Sequence, residues 1–242
     1  MRYALVVLAA VTVCMAGCGP EPARDVADSD PEDTLPPPPY SLETLPPDSL
    51  APVVRRDSLP PRPEVLTDSI RIEGMAQAER LTLVRSPAGL EPPFTTYLPS
   101  GMKVEFAVND TAPSVRFVAA FAGQVNADAF LQVRFYAPGS AELVARNAVE
   151  VYLRGRDPRD ESVVRSGGWP WTIDAWDFQY GAGPRQSGYM GTIGIARHAN
   201  RFFHVLAHYP ADYGDGLGPR IQRILQEWRW EDDGSPLVAD GR

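Results

Sequence analysis

Residues 187–209 read SGYMGTIGIARHANRFFHVLAHY, and this stretch decides the fold. Two alternating runs, 187–198 and 201–209, flank Ala199-Asn200, which predicts a β-hairpin whose two-residue turn uses the tolerance of Asn for positive φ. The predicted pairs are Phe202 with Arg197, His204 with Ile195, Leu206 with Ile193, Phe203 with Ala196, and Val205 with Gly194. Both faces of this hairpin are largely apolar, so the predicted sheet needs cover on both sides.

Two amphipathic segments offer that cover. Ser140 can cap a helix that runs to Arg154, with Gly155 just past its end. A second helix is predicted to start at Pro219 and to carry apolar residues at three- and four-residue steps as far as Trp228. The predicted fold class is therefore α+β, an antiparallel sheet sandwiched between helices in an α-β-α arrangement.

The rest of the folded region alternates with the period of strands. The predicted strands are 69–74, 79–85, 94–98, 102–108, 114–123, 128–137 and 171–180, with a short strand at 162–165 inside an exposed loop, 155–168. In the segment 171–180 this period places Trp176, Phe178 and Tyr180 on one face.

The order of these elements resembles the Mog1/PsbP-type α-β-α sandwich. The matching phrases are Thr96-Tyr97-Leu98-Pro99, the glycine-spaced run Gly188-Tyr189-Met190-Gly191-Thr192-Ile193-Gly194, and Tyr209-Pro210 before the last helix. The resemblance covers residues 94–230, and lipid-anchored bacterial proteins are among the members of that group. It implies the sandwich fold and little about function, since its members do different jobs.

The N-terminus has the features of a lipoprotein signal. One positive charge at Arg2 precedes an apolar run over 3–15, which is shorter than a spanning helix of about 20 residues. The run ends in Met15-Ala16-Gly17-Cys18, which resembles the bacterial lipobox. The resemblance implies cleavage before Cys18 and acylation of that cysteine, with palmitate as the expected type of acyl chain. Cys14 would leave with the signal peptide.

A proline-rich acidic segment follows and separates the predicted anchor from the folded region. Residues 19–67 hold 13 of the 25 prolines, ten acidic residues and four arginines, so they are predicted to form a disordered tether. As a flexible coil the tether would span about 40 Å, and fully extended about 150 Å. The predicted organisation is a signal peptide at 1–17, the lipidated cysteine and linker at 18–67, a folded domain at 68–232 and a disordered tail at 233–242.

The densest aromatic and acidic cluster is the candidate ligand site. It consists of Trp169, Trp171, Asp174, Trp176 and Asp177. Aromatic faces beside carboxylates suit a glycan or another small ligand, and paired carboxylates could act as acid and base in glycoside hydrolysis. The alternative is that the tryptophans fill the gap between sheet and helix while the aspartates belong to turns and an outward face.

The remaining motifs imply no cofactor and no metal. His204 and His208 lie on one predicted strand, about 13 Å apart, so they cannot share a zinc ion, and His198 is at the other end of the hairpin. The chain lacks a G-x-S-x-G phrase and a phosphate-binding loop, so no catalytic residues are assigned. A net charge of −8 and a pI near 4.9 argue against nucleic acid as a partner.

These features favour a lipid-anchored, non-enzymatic protein of the bacterial cell envelope that binds an envelope protein or supports an assembly. The alternative is a binding module for a glycan or small ligand at residues 169–177, and the third hypothesis is a hydrolase. Because Gly19 rather than Asp follows Cys18, the periplasmic side of the outer membrane is the favoured location if two membranes are present.

Overall fold

The structure, a computed structural model, describes residues 61–108, 112–154, 162–165, 167, 169–181 and 188–238. Contacts between Cα atoms divide the chain into Met1–Ser49 and Leu50–Arg242, and every described residue belongs to the second unit. The predicted signal peptide, Cys18 and most of the predicted linker lie outside the described residues. So do Gly155 and residues 239–242 of the predicted tail.

The described residues form eleven strands and two α-helices. The strands are β1 Val65–Ile72, β2 Met75–Arg85, β3 Phe94–Pro99, β4 Met102–Ala107, β5 Ser114–Ala119, β6 Asn126–Phe135, β7 Ser162–Arg165, β8 Asp174–Tyr180, β9 Tyr189–His198, β10 Arg201–Pro210 and β11 Arg229–Trp230. The helices are α1 Glu142–Arg154 and α2 Gly214–Gln226. In the part of the chain that the structure describes, no helix is long and apolar enough to cross a membrane.

The strands form two antiparallel sheets. Seven strands run in the order β4-β5-β6-β10-β9-β8-β7, and four run in the order β1-β2-β3-β11. The hairpin β9–β10 lies inside the larger sheet, and its observed pairs include Phe202 with Arg197 and His204 with Ile195, which confirms the predicted register. The turn differs in one detail: the residue with positive φ is Ala199, at 50°.

The predicted α-β-α sandwich, and with it the fold that the Mog1/PsbP resemblance implied, is wrong because the described chain is mostly β and contains a second sheet. Helix α1 packs on β9 and β10 over one face of the seven-stranded sheet. The other face is covered by α2 together with the four-stranded sheet, since α2 contacts β1 and β3 as well as β10. Alternation in 69–85 and 94–98 identifies strands, but it does not say which sheet they join.

The larger core lies between the two sheets and is rich in aromatic side chains. Trp228, just after α2, stacks on Phe94 of β3 with ring centroids 3.8 Å apart, and both residues are fully buried. Phe117, Phe135 and Phe203 face them from the seven-stranded sheet. Fully burying one such side chain contributes about 1.5–3 kcal/mol, so this cluster holds the sheets together.

Helix α2 begins earlier than predicted. It starts at Gly214, directly after a single 3-10 turn at Ala211–Tyr213, and Pro219 lies inside it rather than at its first position. Leu217 is completely buried and anchors the first turn, which explains why a glycine-rich segment is helical here. Tertiary packing thus overrides the preference of proline for the start of a helix.

The folded region also extends beyond the predicted boundaries at 68 and 232. Arg62 forms an ion pair of 2.8 Å with Glu227, next to the end of α2, and the Tyr97 hydroxyl donates to the carbonyl of Pro63. At the other end the Leu237 amide donates to the carbonyl of Trp228, and the Leu237 side chain is buried. Residues 62–67 and 233–238 are therefore part of the folded structure.

Candidate functional site

Strand β8 separates the predicted cluster onto two faces of the seven-stranded sheet. Successive side chains on a strand point to opposite faces. Asp174 and Trp176 face α1, and Asp177 faces the side that carries α2. Asp174 and Asp177 therefore cannot act together on one glycosidic bond, and the five predicted residues do not form a single site.

Asp174 connects three elements. Its carboxylate accepts hydrogen bonds from Arg146 of α1 at 2.7 Å and from Arg165 of β7 at 2.8 Å, and only 6% of its side chain is exposed. Burial alone would raise the pKa of Asp174, but the bonds from the two arginines outweigh burial and lower it. Because both of its oxygens are engaged by arginine, we assign this carboxylate to the structure rather than to a ligand site.

Trp176 belongs to the smaller core. It packs at the margin of the cluster formed by Phe178, Ile193, Leu206 and Val149 beneath α1. Trp176, Phe178 and Tyr180 share this face, as the alternation predicted. Trp176 therefore fills space between the sheet and α1, as the alternative interpretation expected.

The loop before β8 brings the other two tryptophans together on the opposite face. The rings of Trp169 and Trp171 stack with centroids 5.6 Å apart and an interplanar angle of 20°, and both side chains are partly exposed. The amide and the hydroxyl of Thr172 both donate to the carbonyl of Trp169, which closes the loop into a turn. The pair is thereby held in one orientation.

Gly194 of β9 lets this loop lie directly on the sheet. A Cβ atom at Gly194 would lie 2.8 Å from Thr172 Cγ2 and 3.2 Å from Trp169 Cε3. Glycine is required at 191 for a different reason. A Cβ atom there would overlap the backbone oxygen of Ala207 and would lie 2.6 Å from Phe178 Cζ. The glycine spacing in β9 thus reflects close approach of a loop, a ring and the neighbouring strand.

A groove, here called the α2–β8 groove, runs between this loop and α2. It consists of two adjoining cavities: one of about 560 Å³ beside α2, and one of about 370 Å³ at the end of the sheet near β7 and β8. Thr192 and Tyr209 line both cavities. The side chains that line the groove include Trp169, Trp171, Asp177, Gln179, Met190, Thr192, Tyr209, Gln222, Leu225 and Gln226.

The polar groups of the groove meet where β8 and β9 pair. Asp177 is exposed and lies opposite Thr192 in the register, and its carboxylate accepts a hydrogen bond of 2.6 Å from the Thr192 hydroxyl. Burial, and in second place the negative charge of Asp177, raises the pKa of Tyr209. The Tyr209 hydroxyl therefore stays protonated at neutral pH and can donate a hydrogen bond.

Thr192, Tyr209, Gln222 and Gln226 are groove residues that the sequence cluster did not include. Thr192 and Tyr209 could have been identified from the hairpin register. Thr192 lies two residues from Gly194 and pairs with Ala207, and Tyr209 lies two residues after Ala207, so all four residues are on one face of the sheet. The same alternation also places Asp174 and Asp177, which are three residues apart on β8, on opposite faces of the sheet. The two glutamines become visible only once α2 is placed over the sheet.

The three histidines have separate partners. His204 is buried and bonds through Nδ1 to the Tyr136 hydroxyl at 2.6 Å, and burial, with a smaller contribution from Arg134, lowers its pKa to about 4. His208 bonds through Nε2 to the Tyr180 hydroxyl, also at 2.6 Å. Both lie on strand β10, which confirms the predicted strand and its spacing.

His198 lies at the other end of the hairpin. Its Nε2 is 2.9 Å from the nearer oxygen of Asp232, and its ring stacks on Trp230 at 4.3 Å. The ligand atoms of His198, Asp232 and Asp233 lie within 4.8 Å of one another, a grouping that the sequence analysis missed. Because Asp232 bonds His198 and Asp233 accepts the Ser235 amide, hydrogen bonds account for this cluster.

A separate cavity of about 480 Å³ lies where β2, β3 and β11 meet. Its arginines are engaged: Arg62 by Glu227, Arg85 by Glu64, and Arg229 by the carbonyls of Gln226 and Trp228. The α2–β8 groove is the better candidate because it combines stacked aromatic rings with an exposed carboxylate.

No protein-family model matches this chain, and no curated protein matches it either.

Proposed function

We propose that this chain is a lipid-anchored protein of the bacterial cell envelope whose folded domain binds a carbohydrate in the α2–β8 groove. The observation that carries the proposal is the stacked pair Trp169–Trp171, which lines a cavity that also presents the polar side chains of Thr192, Tyr209, Gln222 and Gln226. The anchor is inferred from the apolar run and the sequence Met15-Ala16-Gly17-Cys18. The favoured location remains the periplasmic side of the outer membrane in a cell with two membranes.

The chemistry of the groove suits a sugar chain. A pyranose ring has apolar C–H faces, which pack on indole rings, and hydroxyl groups at its edge, which need hydrogen-bond partners. The groove supplies both, since the cavity lined by the Trp pair also presents Tyr209, Gln222 and Gln226, and the adjoining cavity presents the carboxylate of Asp177. Ligand sites generally combine a mostly apolar lining with a few placed polar groups in this way.

Titration of defined oligosaccharides tests the proposal. The protein is the mature chain with Cys18→Ser, and the probes are hexamers of N-acetylglucosamine, glucosamine, maltose-type glucose and cellulose-type glucose, followed by calorimetry and tryptophan fluorescence. We expect at least one hexamer to bind and Trp171→Leu to weaken it by about tenfold or more, because stacking on the ring is lost.

Trp176→Leu is the matched control, since it changes the same residue type on the opposite face of the same sheet. It should leave the affinity within about twofold, and circular dichroism should show both variants folded. Binding of no hexamer contradicts the proposal, and so does equal binding by the Trp171 and Trp176 variants.

A second candidate function, binding of an envelope protein, is favoured by the outer face of α1. Leu143 and Val151, eight residues apart on that face, are 63% and 70% exposed, and Val144 beside them is 47% exposed. A photocrosslinker at Asn147, between them, should give a protein adduct in intact cells. The double variant Leu143→Asp with Val151→Asp should lose it, whereas an adduct that persists in the double variant rejects this face as the contact.

A further inference from the structure

The α2–β8 groove contains one charged side chain among the described residues that line it, and that side chain is Asp177. The carboxylate is exposed, and its hydrogen bond to the Thr192 hydroxyl involves a neutral partner, so its charge is not compensated there. The neighbouring Tyr209 responds to this charge, since Asp177 contributes to the raised pKa of its phenol.

The described arginines that are near groove residues in sequence form ion pairs with carboxylates other than Asp177. Arg165 of β7 bonds Asp174 on the opposite face of the sheet. On α2, Arg220 is paired with Glu79 and Arg223 with Asp68, and both carboxylates belong to the four-stranded sheet. Among the described residues, the floor of the groove therefore carries a negative charge without a cation beside it.

A groove with this charge disfavours anionic sugars and favours a cation. Uronic acids and phosphorylated sugars would bring a second negative charge close to the exposed carboxylate of Asp177, and this repulsion is strongest at low ionic strength. A primary ammonium group, in contrast, would form a charge-assisted hydrogen bond with Asp177 and gain from the faces of nearby aromatic rings. The aromatic pair in one cavity and the carboxylate in the adjoining one together match an oligosaccharide that bears amino groups, with one sugar ring on the Trp pair and an ammonium group of another at Asp177.

We infer that the groove selects a glycan with unacetylated amino sugars, with Asp177 as the residue that reads the ammonium group. The inference rests on the proposed function, because the same groove and the same Trp pair hold the sugar ring. It names the ligand class within that function, a cationic amino sugar rather than a neutral or acidic one.

The test compares two hexamers that differ only in N-acetylation. Glucosamine hexamer and N-acetylglucosamine hexamer are titrated into the mature Cys18→Ser chain in mildly acidic buffer, where the free amines are charged. We expect the glucosamine hexamer to bind about tenfold or more tightly. Asp177→Asn should abolish the difference, and added salt should reduce it in the parent protein. Asp128→Asn, which changes an exposed carboxylate on β6, should leave the preference intact.

The outcomes separate the two claims. If glucosamine and N-acetylglucosamine hexamers bind equally, or if Asp177→Asn keeps the preference, the inference is wrong while carbohydrate binding stands. Tighter binding of a neutral glucose hexamer overturns the inference in the same way. If no hexamer binds, the proposed function fails as well. The peptide acetyl-Ala-Lys-Ala-amide presents the same ammonium group without a sugar, and equal binding of this peptide rejects the amino sugar as the ligand class.

Discussion

Gly191 and Gly194 of β9 make room for different parts of the structure, although the sequence gives no reason to distinguish them. Gly194 leaves room for the loop with Trp169 and Thr172, and its obstruction would come from side chains. Gly191 leaves room for the backbone of Ala207, which cannot move without breaking the pairing of β9 with β10. The first glycine therefore serves the groove, and the second serves the sheet.

Alanine at these positions should separate binding from stability. Gly194→Ala should displace the loop and weaken oligosaccharide binding, with a loss of about 1–2 kcal/mol in unfolding free energy, whereas Gly191→Ala should cost about 3 kcal/mol or more. Chemical denaturation measures both. Gly167 is the control, since a Cβ there meets nothing within 4 Å. Equal losses at 191 and 194 would refute the distinction.

His204 makes the fold sensitive to acid. Its pKa is about 4 in the folded protein and about 6.5 when unfolded, so below pH 6.5 the unfolded chain binds a proton that the native state does not. Stability should therefore fall as pH drops from about 6.5 to about 4, by about 3 kcal/mol from this residue.

Urea titrations across that pH range measure the effect. His204→Gln keeps a hydrogen-bond partner for Tyr136 but does not titrate, so its stability should fall by about 3 kcal/mol less over the same range. A variant with the same pH slope as the parent protein would show that other groups cause the acid sensitivity.

At the scale of elements, α1 is held on the sheet by an ion pair as well as by apolar packing. Ala145 and Val149 bury one side of the helix, while Arg146 reaches Asp174 on β8. Arg165 reaches the same carboxylate from β7, a strand at the end of the sheet in which Val163 and Val164 are exposed. One carboxylate thus connects α1, β8 and β7.

Removing this charge should loosen both neighbours. Asp174→Asn should lower the unfolding free energy by about 1–2 kcal/mol, less than for a fully buried pair because both arginines are partly exposed. Glu150→Gln, which breaks an exposed pair with Arg154 on the same helix, should cost about 0.5 kcal/mol or less. Thermal unfolding of the two variants makes the comparison. Similar decreases in melting temperature would show that the Asp174 carboxylate does not hold α1 and β7 to β8.

The elements that could be predicted from sequence are those whose periodicity is long and whose ends are marked. The hairpin β9–β10 has both features, and its register followed from the two-residue turn. Strand β11 is two residues long, too short to show any period, so it could not be predicted. The strands β1, β2 and β3 were predicted, but alternation does not say that they form a second sheet. The groove could be predicted only in part: Trp169 and Trp171 were identified, but Trp176 was grouped with them because nearness in sequence does not give the face of a strand.

At the scale of the whole molecule, the proposed anchor at Cys18 would determine where the domain can act. Arg62 already belongs to the folded region, so 43 residues separate it from Cys18. Such a segment would span about 35 Å as a coil and about 130 Å fully extended. Under the proposed anchoring, both lengths would allow the groove to reach a glycan away from the bilayer surface.

Lipid attachment is tested by metabolic labelling with an alkyne analogue of palmitate. The parent chain should be labelled and should sediment with membranes. Cys18→Ser should lose the label and remain in the aqueous fraction. Cys14→Ser is the matched control, because under the proposal that residue would leave with the signal peptide, so its loss should not alter labelling. A labelled Cys18→Ser protein would disprove the anchor site.

The contacts of Arg62 and Pro63 also decide how the domain would respond to mechanical force. If the proposed anchor is present, tension along the tether would reach the described residues at Arg62, which pairs with Glu227, and at Pro63, whose carbonyl accepts a hydrogen bond from the Tyr97 hydroxyl. Beyond them lies β1, the outermost strand of its sheet, which pairs with β2 alone. A pull toward the N-terminus would therefore load β1 and the four-stranded sheet, whereas the strands that line the groove belong to the seven-stranded sheet.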